Sequence, residues 1–316
     1  MKFTRREFLK LCGSTLVGAG ISRVYLPEIA SALESVAYGH PSVIWLQGAS
    51  DGGCSLSLLN TAHPKISELL FKIISLRYHP TLSTAQGNIF NLILEKVKED
   101  SIDKYILVVE GSIQTAYGGR CCILGEKDNK SFTLIDVLGD LAYKSNVILA
   151  VGSCSAFGGI PKGEPNPTGA MGVKEFLEEL GIEKTVINIP GCPAHPDWII
   201  GTLIHILFYG LPELDFLHRP KLFFDKTIHE NCSRYYYFSE RRFASSLGEE
   251  GCLINLGCKG PYTRADCSLR RWNKGVNWCV ESGGMCIGCC SPNFPDGLSP
   301  IYSALPQDFF LSQERV

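Results

Sequence analysis

The chain has 316 residues, a formal net charge of −2 and 45% hydrophobic residues. That length suits two domains with ordinary cores, and the near-neutral balance gives no basic surface for nucleic acid. The first residues, MKFTRREFLK, place Arg5 and Arg6 beside Thr4, Phe8 and Leu9, ahead of an apolar stretch that closes on Ala30 and Ala32 in A-x-A spacing. This reads as a twin-arginine export signal over residues 1–32, cleaved after Ala32 and removing Cys12. Export in the folded state suits a protein whose metal is inserted beforehand. Beyond the signal no apolar run is long enough to span a bilayer, and the final ALPQDFFLSQERV is polar, so no transmembrane anchor is expected.

Four short apolar runs follow as strand candidates: 42–47 (SVIWLQ), 105–109 (YILVV), 147–151 (VILAV) and 185–189 (TVINI). Helical periodicity is read between them at 65–78, 87–98, 133–144 and 173–180. Alternation of the two predicts a doubly wound parallel sheet, flavodoxin-like, over residues 40–210. Each run ends in a loop: SDGGCS with Asp51 and Cys54, EGS with Glu110, GSCSAFGG with Cys154, and PGCPAHP with Cys192. Ligands of open parallel sheets bind beyond the carboxyl ends of the strands, so Asp51, Cys54, Cys154 and Cys192 are expected on one edge, able to hold one cofactor. Any one of these cysteines alone would read as a small core hydrophobe.

After about Gly210 the alternation stops, and residues 211–316 form a smaller, irregular or helical region with most of the chain's fourteen cysteines. His229 and Cys232 are followed by Cys252, Cys258, Cys267, Cys279, Cys286 and Cys289, eight soft donors that divide into two groups of four. A disulfide framework, structural zinc and iron–sulfur clusters compete for such a pattern. Disulfide scaffolds are short chains without a core, and a single CxxC pair with uneven remaining gaps is a poor zinc signature. Iron–sulfur is the reading taken.

The stretches VIWLQGASDGGCS, VVEGS, GSCSAFGG with PNPTGA, PGCP, TIHENC, GCLINLGCKGP and CIGC together resemble the small, electron-transferring subunit of nickel–iron hydrogenases. The resemblance implies three clusters in a row. The strand-end loops would hold the proximal one, facing a nickel–iron centre in an obligate large subunit. His229, Cys232, Cys252 and Cys258 would hold a distal 4Fe-4S cluster, and Cys267, Cys286 and Cys289 would belong to the medial one. It implies electron relay from hydrogen oxidation to an external acceptor, such as a cytochrome or a quinone-linked membrane subunit, on the outer face of the cytoplasmic membrane. No residue of this chain would break bonds.

Two departures from the family pattern matter. Asp51 stands where the proximal loop normally has a cysteine, which makes it the expected fourth ligand beside Cys54, Cys154 and Cys192, with Cys121 or Cys122 as the rival. Cys279 stands where many members have proline, so the medial site is expected to hold a 4Fe-4S cluster, with 3Fe-4S as the alternative. Cys122 occupies one of two extra cysteine positions of oxygen-tolerant relatives, but the other is Gly53, so their sulfur-poor cluster is not expected.

The remaining polar residues are read as structural. Glu110 is either a proton-moving carboxylate or an acceptor of loop N–H groups. His195 and Asp197 are expected to cap the next helix, His205 to be a satisfied core histidine, and Tyr235–Phe238 to be packing. Lys221, Arg241, Arg242, Arg270 and Arg271 form a solvated face or a docking patch for an acidic partner. Two other classes stay open: a cluster-bearing subunit of a quinone-linked or other exported redox complex, and a non-enzymatic protein stapled by disulfides.

Overall fold

A computed structural model describes residues 41–83, 88–99, 105–127 and 130–295; the export signal lies outside them. The chain divides into two compact units at Leu222 and Phe223.

The first unit is built on five strands: β1 (Ser42–Gln47), β2 (Ser75–Tyr78), β3 (Tyr105–Glu110), β4 (Val147–Val151) and β5 (Val186–Ile189). They run in the order 2-1-3-4-5, every pair parallel. Strands β3 and β4 are buried at every position, which is why they read as unbroken apolar runs instead of alternating ones. Side chains of a strand alternate between faces. Ile44, Leu46, Leu107, Val109, Ile148 and Ala150 join one core with Phe90, Leu94, Leu138, Leu141 and Phe176. The alternate residues Val43, Trp45, Ile106, Val108 and Leu149 are buried as deeply, so the sheet is covered on both faces.

The named helices of this unit are α1 (Gly53–Leu59), α2 (Asn88–Glu99), α3 (Leu134–Lys144), α4 (Ser153–Phe157), α5 (Val173–Glu179) and α6 (Pro196–Tyr209). Helix α3 starts at Thr133, whose hydroxyl accepts from the Asp136 N–H while the Asp136 carboxylate accepts from the Thr133 N–H, a reciprocal cap. One sequence expectation fails here. Residues 65–78 are not a single helix: a short helical segment at Ile66–Glu68 and a π-turn at Leu69–Ile73 give way to β2. Ser75 and Leu76 pair with Ser42 and Val43 of β1, and that edge pairing overrides the helical spacing of the apolar residues.

The second unit contains short helical turns and no strand, only isolated bridges, among the described residues. It includes Tyr235–Ser239, the 3-10 turns His229–Asn231 and Leu253–Leu256, and Cys267–Arg270. No helix among the described residues is long and apolar enough to cross a membrane.

Candidate iron–sulfur sites

The loops after β1, β4 and β5 are laced together at the carboxyl ends of the strands. Ser57 Oγ of α1 donates to Ala194 O at 2.6 Å. Ser153 N donates to Gly191 O at 3.0 Å, and Gly191 N returns a bond to Ser153 Oγ at 2.8 Å. These bonds hold Cys54, Cys154 and Cys192 in three adjoining loops. A Cβ on Gly152 would stand 2.6 Å from Cys54 Sγ, and this residue also has φ +90°. The Cys154 loop can pass the Cys54 sulfur this closely only because position 152 lacks a side chain.

Glu110, the last residue of β3, is 1% exposed and organises the same edge. Its carboxylate accepts from Trp45 Nε1 and Gln47 Nε2 at 3.0 Å, Ser50 Oγ at 3.1 Å, and the N–H groups of Cys54 and Ser55 at 3.1 and 3.2 Å. Ser55 Oγ donates to it as well. Of the two roles read for Glu110, the geometry displays loop holding: a charged acceptor satisfies the first N–H groups of α1 and fixes Cys54.

Burial pushes the Cys54 thiol up, the Ala194 N–H opposes this, and Glu110, Cys154 and Cys192 add to the rise. Burial raises Cys154 too, with Asp51 contributing in the same direction. Cys54 thus responds to Cys154 and Cys192, and Cys154 to Asp51. Asp51 is exposed, and its Oδ1 accepts from the Gly53 N–H at 2.8 Å. Cys121 is exposed; Cys122 packs against the hydrophobic core and its thiol faces Gln47 O at 3.9 Å.

In the second unit His229, Cys232, Cys252 and Cys258 line one small pocket together with Arg234 and Trp278. Burial lowers the His229 pKa, against the raising effect of Glu230; the neutral imidazole is the form that binds metal. Its ring is held edge-on to Tyr235 and Phe238, with centroids 5.1 and 4.5 Å apart. The backbone N–H of Arg234 points at Cys232 Sγ, at 3.4 Å. Burial raises the Cys232 and Cys252 thiols, which also respond to Cys258.

The second set is equally convergent. Burial drives Cys267 and Cys286 well up; Cys289 and Cys279 act on Cys267, and Cys258, Cys267 and Cys289 on Cys286. Cys279 is raised by burial and then by Cys289. Cys290, 1% exposed, has its sulfur 4.0 Å from Cys289 Sγ. The two sets adjoin: Lys259, following Cys258, is fully buried and its N–H donates to Cys286 O at 2.7 Å.

Among the described residues no three histidine, cysteine, aspartate or glutamate side chains are close enough to hold a single ion. The fit of a larger group depends on the chemistry of the donors. Thiolates and one imidazole are the donor types of iron–sulfur clusters. Trp278, which also lines this pocket, has a buried indole N–H without an acceptor. The donors fit. All thirteen described cysteines are free thiols, so the disulfide-stapled reading is dropped.

Other expectations are corrected. His195, not Asp197, caps α6, its Nδ1 accepting from the Asp197 N–H at 3.1 Å. His205 is partly exposed and bonds Gly210 O at 3.0 Å, so it is satisfied but is not a core residue. Of the basic residues, Arg270 is largely buried in its ion pair with Asp266, whereas Lys221, Arg242 and Arg271 stay solvated in pairs with Glu213, Glu250 and Glu281, and Arg241 is exposed. Sequence reasoning overlooked Trp278 and Lys259, although each adjoins a cysteine of the pattern.

An open parallel sheet carrying cysteines at the carboxyl ends of its strands, followed by a compact unit with further soft donors, fits an electron-transfer protein of the iron–sulfur class. Residues 224–302 match the C-terminal family of the NiFe/NiFeSe hydrogenase small subunit, and residues 52–206 the 20 Kd subunit family of NADH ubiquinone oxidoreductase. The chain is 46% identical to the periplasmic NiFeSe hydrogenase small subunit of Desulfomicrobium baculatum, over 96% of this chain and 100% of that one. It is 38% identical to the periplasmic NiFe hydrogenase small subunit 1 of Nitratidesulfovibrio vulgaris, over 95% and 93%. The reduced, active Ni-Fe-Se hydrogenase of Desulfomicrobium baculatum superposes with a TM-score of 0.80 at 47% identity, covering 84% of this chain and all of that one. The chain belongs to the small-subunit family of NiFe and NiFeSe hydrogenases. It is the non-catalytic, electron-relaying partner in such an enzyme.

Proposed function

We propose that this chain relays electrons from hydrogen oxidation in an obligate nickel–iron large subunit to an external acceptor through three iron–sulfur clusters. Asp51, Cys54, Cys154 and Cys192 in the 40–210 domain hold the proximal cluster. In the 211–316 domain, His229, Cys232, Cys252 and Cys258 hold the distal cluster, and Cys267, Cys279, Cys286 and Cys289 the medial one. When bound, such clusters supply reversible one-electron storage at protein-tuned potentials. The chain's part is to bind them, exclude water and fix their order. The observation that carries the reading is the cavity lined by one histidine and three cysteines, the same four residues that the family resemblance implies as one ligand set.

Four features refine it. The Asp51 carboxylate lies within electrostatic reach of Cys154, whereas Cys122 leans on the core, which supports Asp51 over either rival cysteine. Cys279 interacts with Cys289 and Cys267, which supports a four-thiolate medial site and a 4Fe-4S cluster there. Relatives bearing the word periplasmic, with the twin-arginine pattern at Arg5 and Arg6, support work on the outer face of the cytoplasmic membrane. A cytochrome or a quinone-linked membrane subunit is the kind of acceptor such a location offers.

The test is metal analysis of the complex purified anaerobically from its own host. About twelve irons per chain, with nickel in a larger co-purifying partner, is the expected result. Iron without nickel would instead make the chain an electron carrier of another exported redox complex. A three-iron EPR signal in intact protein would refute the medial assignment, and an Asp51→Asn variant with full iron and an unchanged proximal spectrum would refute the aspartate.

A further inference from the structure

Trp278 is 2% exposed, lines the cavity shared by His229, Cys232, Cys252 and Cys258, and precedes Cys279 of the neighbouring set. Its Nε1–H has no hydrogen-bond partner among the described residues. A buried donor left without an acceptor is costly, and native proteins rarely tolerate one unless something outside the chain accepts the bond. Indole is a donor only. Apart from Gly260, whose carbonyl accepts from the His229 N–H at 3.1 Å, the other residues lining that cavity are apolar ones, Arg234, the histidine and the three cysteines. A sulfur-bearing group held by those thiols would bring the acceptor that the indole needs.

We infer that Trp278 is a positioning residue of the distal site, its indole N–H donating to a sulfur of the group that His229 and the three cysteines hold. The inference rests on the distal assignment proposed above. Reduction makes an iron–sulfur group more negative, so an N–H aimed at its sulfur favours the reduced form and raises the potential. Trp278 thereby shifts the electron exit relative to the medial site, and its ring keeps water from the cavity.

Two measurements on the intact hydrogenase complex test this. In protein labelled with indole-15N tryptophan, pulsed EPR of the reduced distal cluster should show a 15N coupling. The chain has four tryptophans, and the indole N–H of Trp45 is committed to Glu110. In Trp278→Phe, which keeps a ring and removes the donor, the distal reduction equilibrium should weaken about tenfold, 59 mV for a one-electron couple. The medial potential should stay in place. A missing 15N coupling, or a shift confined to the medial signal, overturns the inference even if Trp278→Phe loses its cluster. Wild-type complex lacking a distal cluster signal altogether would remove the ligand assignment itself, a distinguishable failure.

Discussion

The two units hold their cysteines in place by opposite means. In the first, a five-stranded sheet buried on both faces forms the frame, and the donors are additions to its loops. In the second, short turns surround the donors, and cysteines occupy buried positions that aliphatic residues would fill elsewhere. A frame built from apolar area is stable without its cofactor, whereas one built from ligands takes folding free energy from metal binding. The lesson is that cysteine density marks where thiols stand in for aliphatic side chains in the core.

The largest expected effect follows directly. Removing iron with a chelator should abolish hydrogen-exchange protection across 223–295 while strands β1, β3 and β4 stay protected; uniform loss of protection in both units would break the contrast. Next, Leu107→Ala, at a fully buried position of β3, should cost about 2–5 kcal/mol in denaturant unfolding of the first unit. Medial and distal EPR signals should remain in folded protein.

Glu110→Gln tests how the sheet passes its rigidity to the loops. Losing the charged acceptor of the Cys54 and Ser55 N–H groups should cost about 1.5–3 kcal/mol, and the proximal EPR signal alone should broaden or disappear. An unchanged proximal spectrum would mean that Cys54 is fixed by the Ala194 and Ser57 contacts instead. The smallest effect belongs to Thr133→Ala, which removes the reciprocal cap of α3; about 1 kcal/mol should be lost from the first unit, with no change in any cluster potential.

Much of this was legible from residues 42–47, 105–109, 147–151 and 185–189, because strands buried on both faces leave unbroken apolar runs whatever surrounds them. Strand β2 was not, since ISLRY at its start carries a helical spacing as well as a β one, and only pairing with Ser42 and Val43 decides between them. The soft donors were legible as types and spacings, for no other side chains offer thiolate chemistry. Their close neighbours were not. That Glu110 would gather six donors, that Trp278 would line the His229 pocket with its N–H unpaired, and that Lys259 would be buried next to Cys258 depend on contacts between distant segments. Sequence by itself determined which atoms could bind metal and which runs could form a sheet, because those are properties of single side chains and local periods. Tertiary structure alone decided which donors share a cavity and which polar groups face them, because burial and hydrogen bonding are properties of the packed chain.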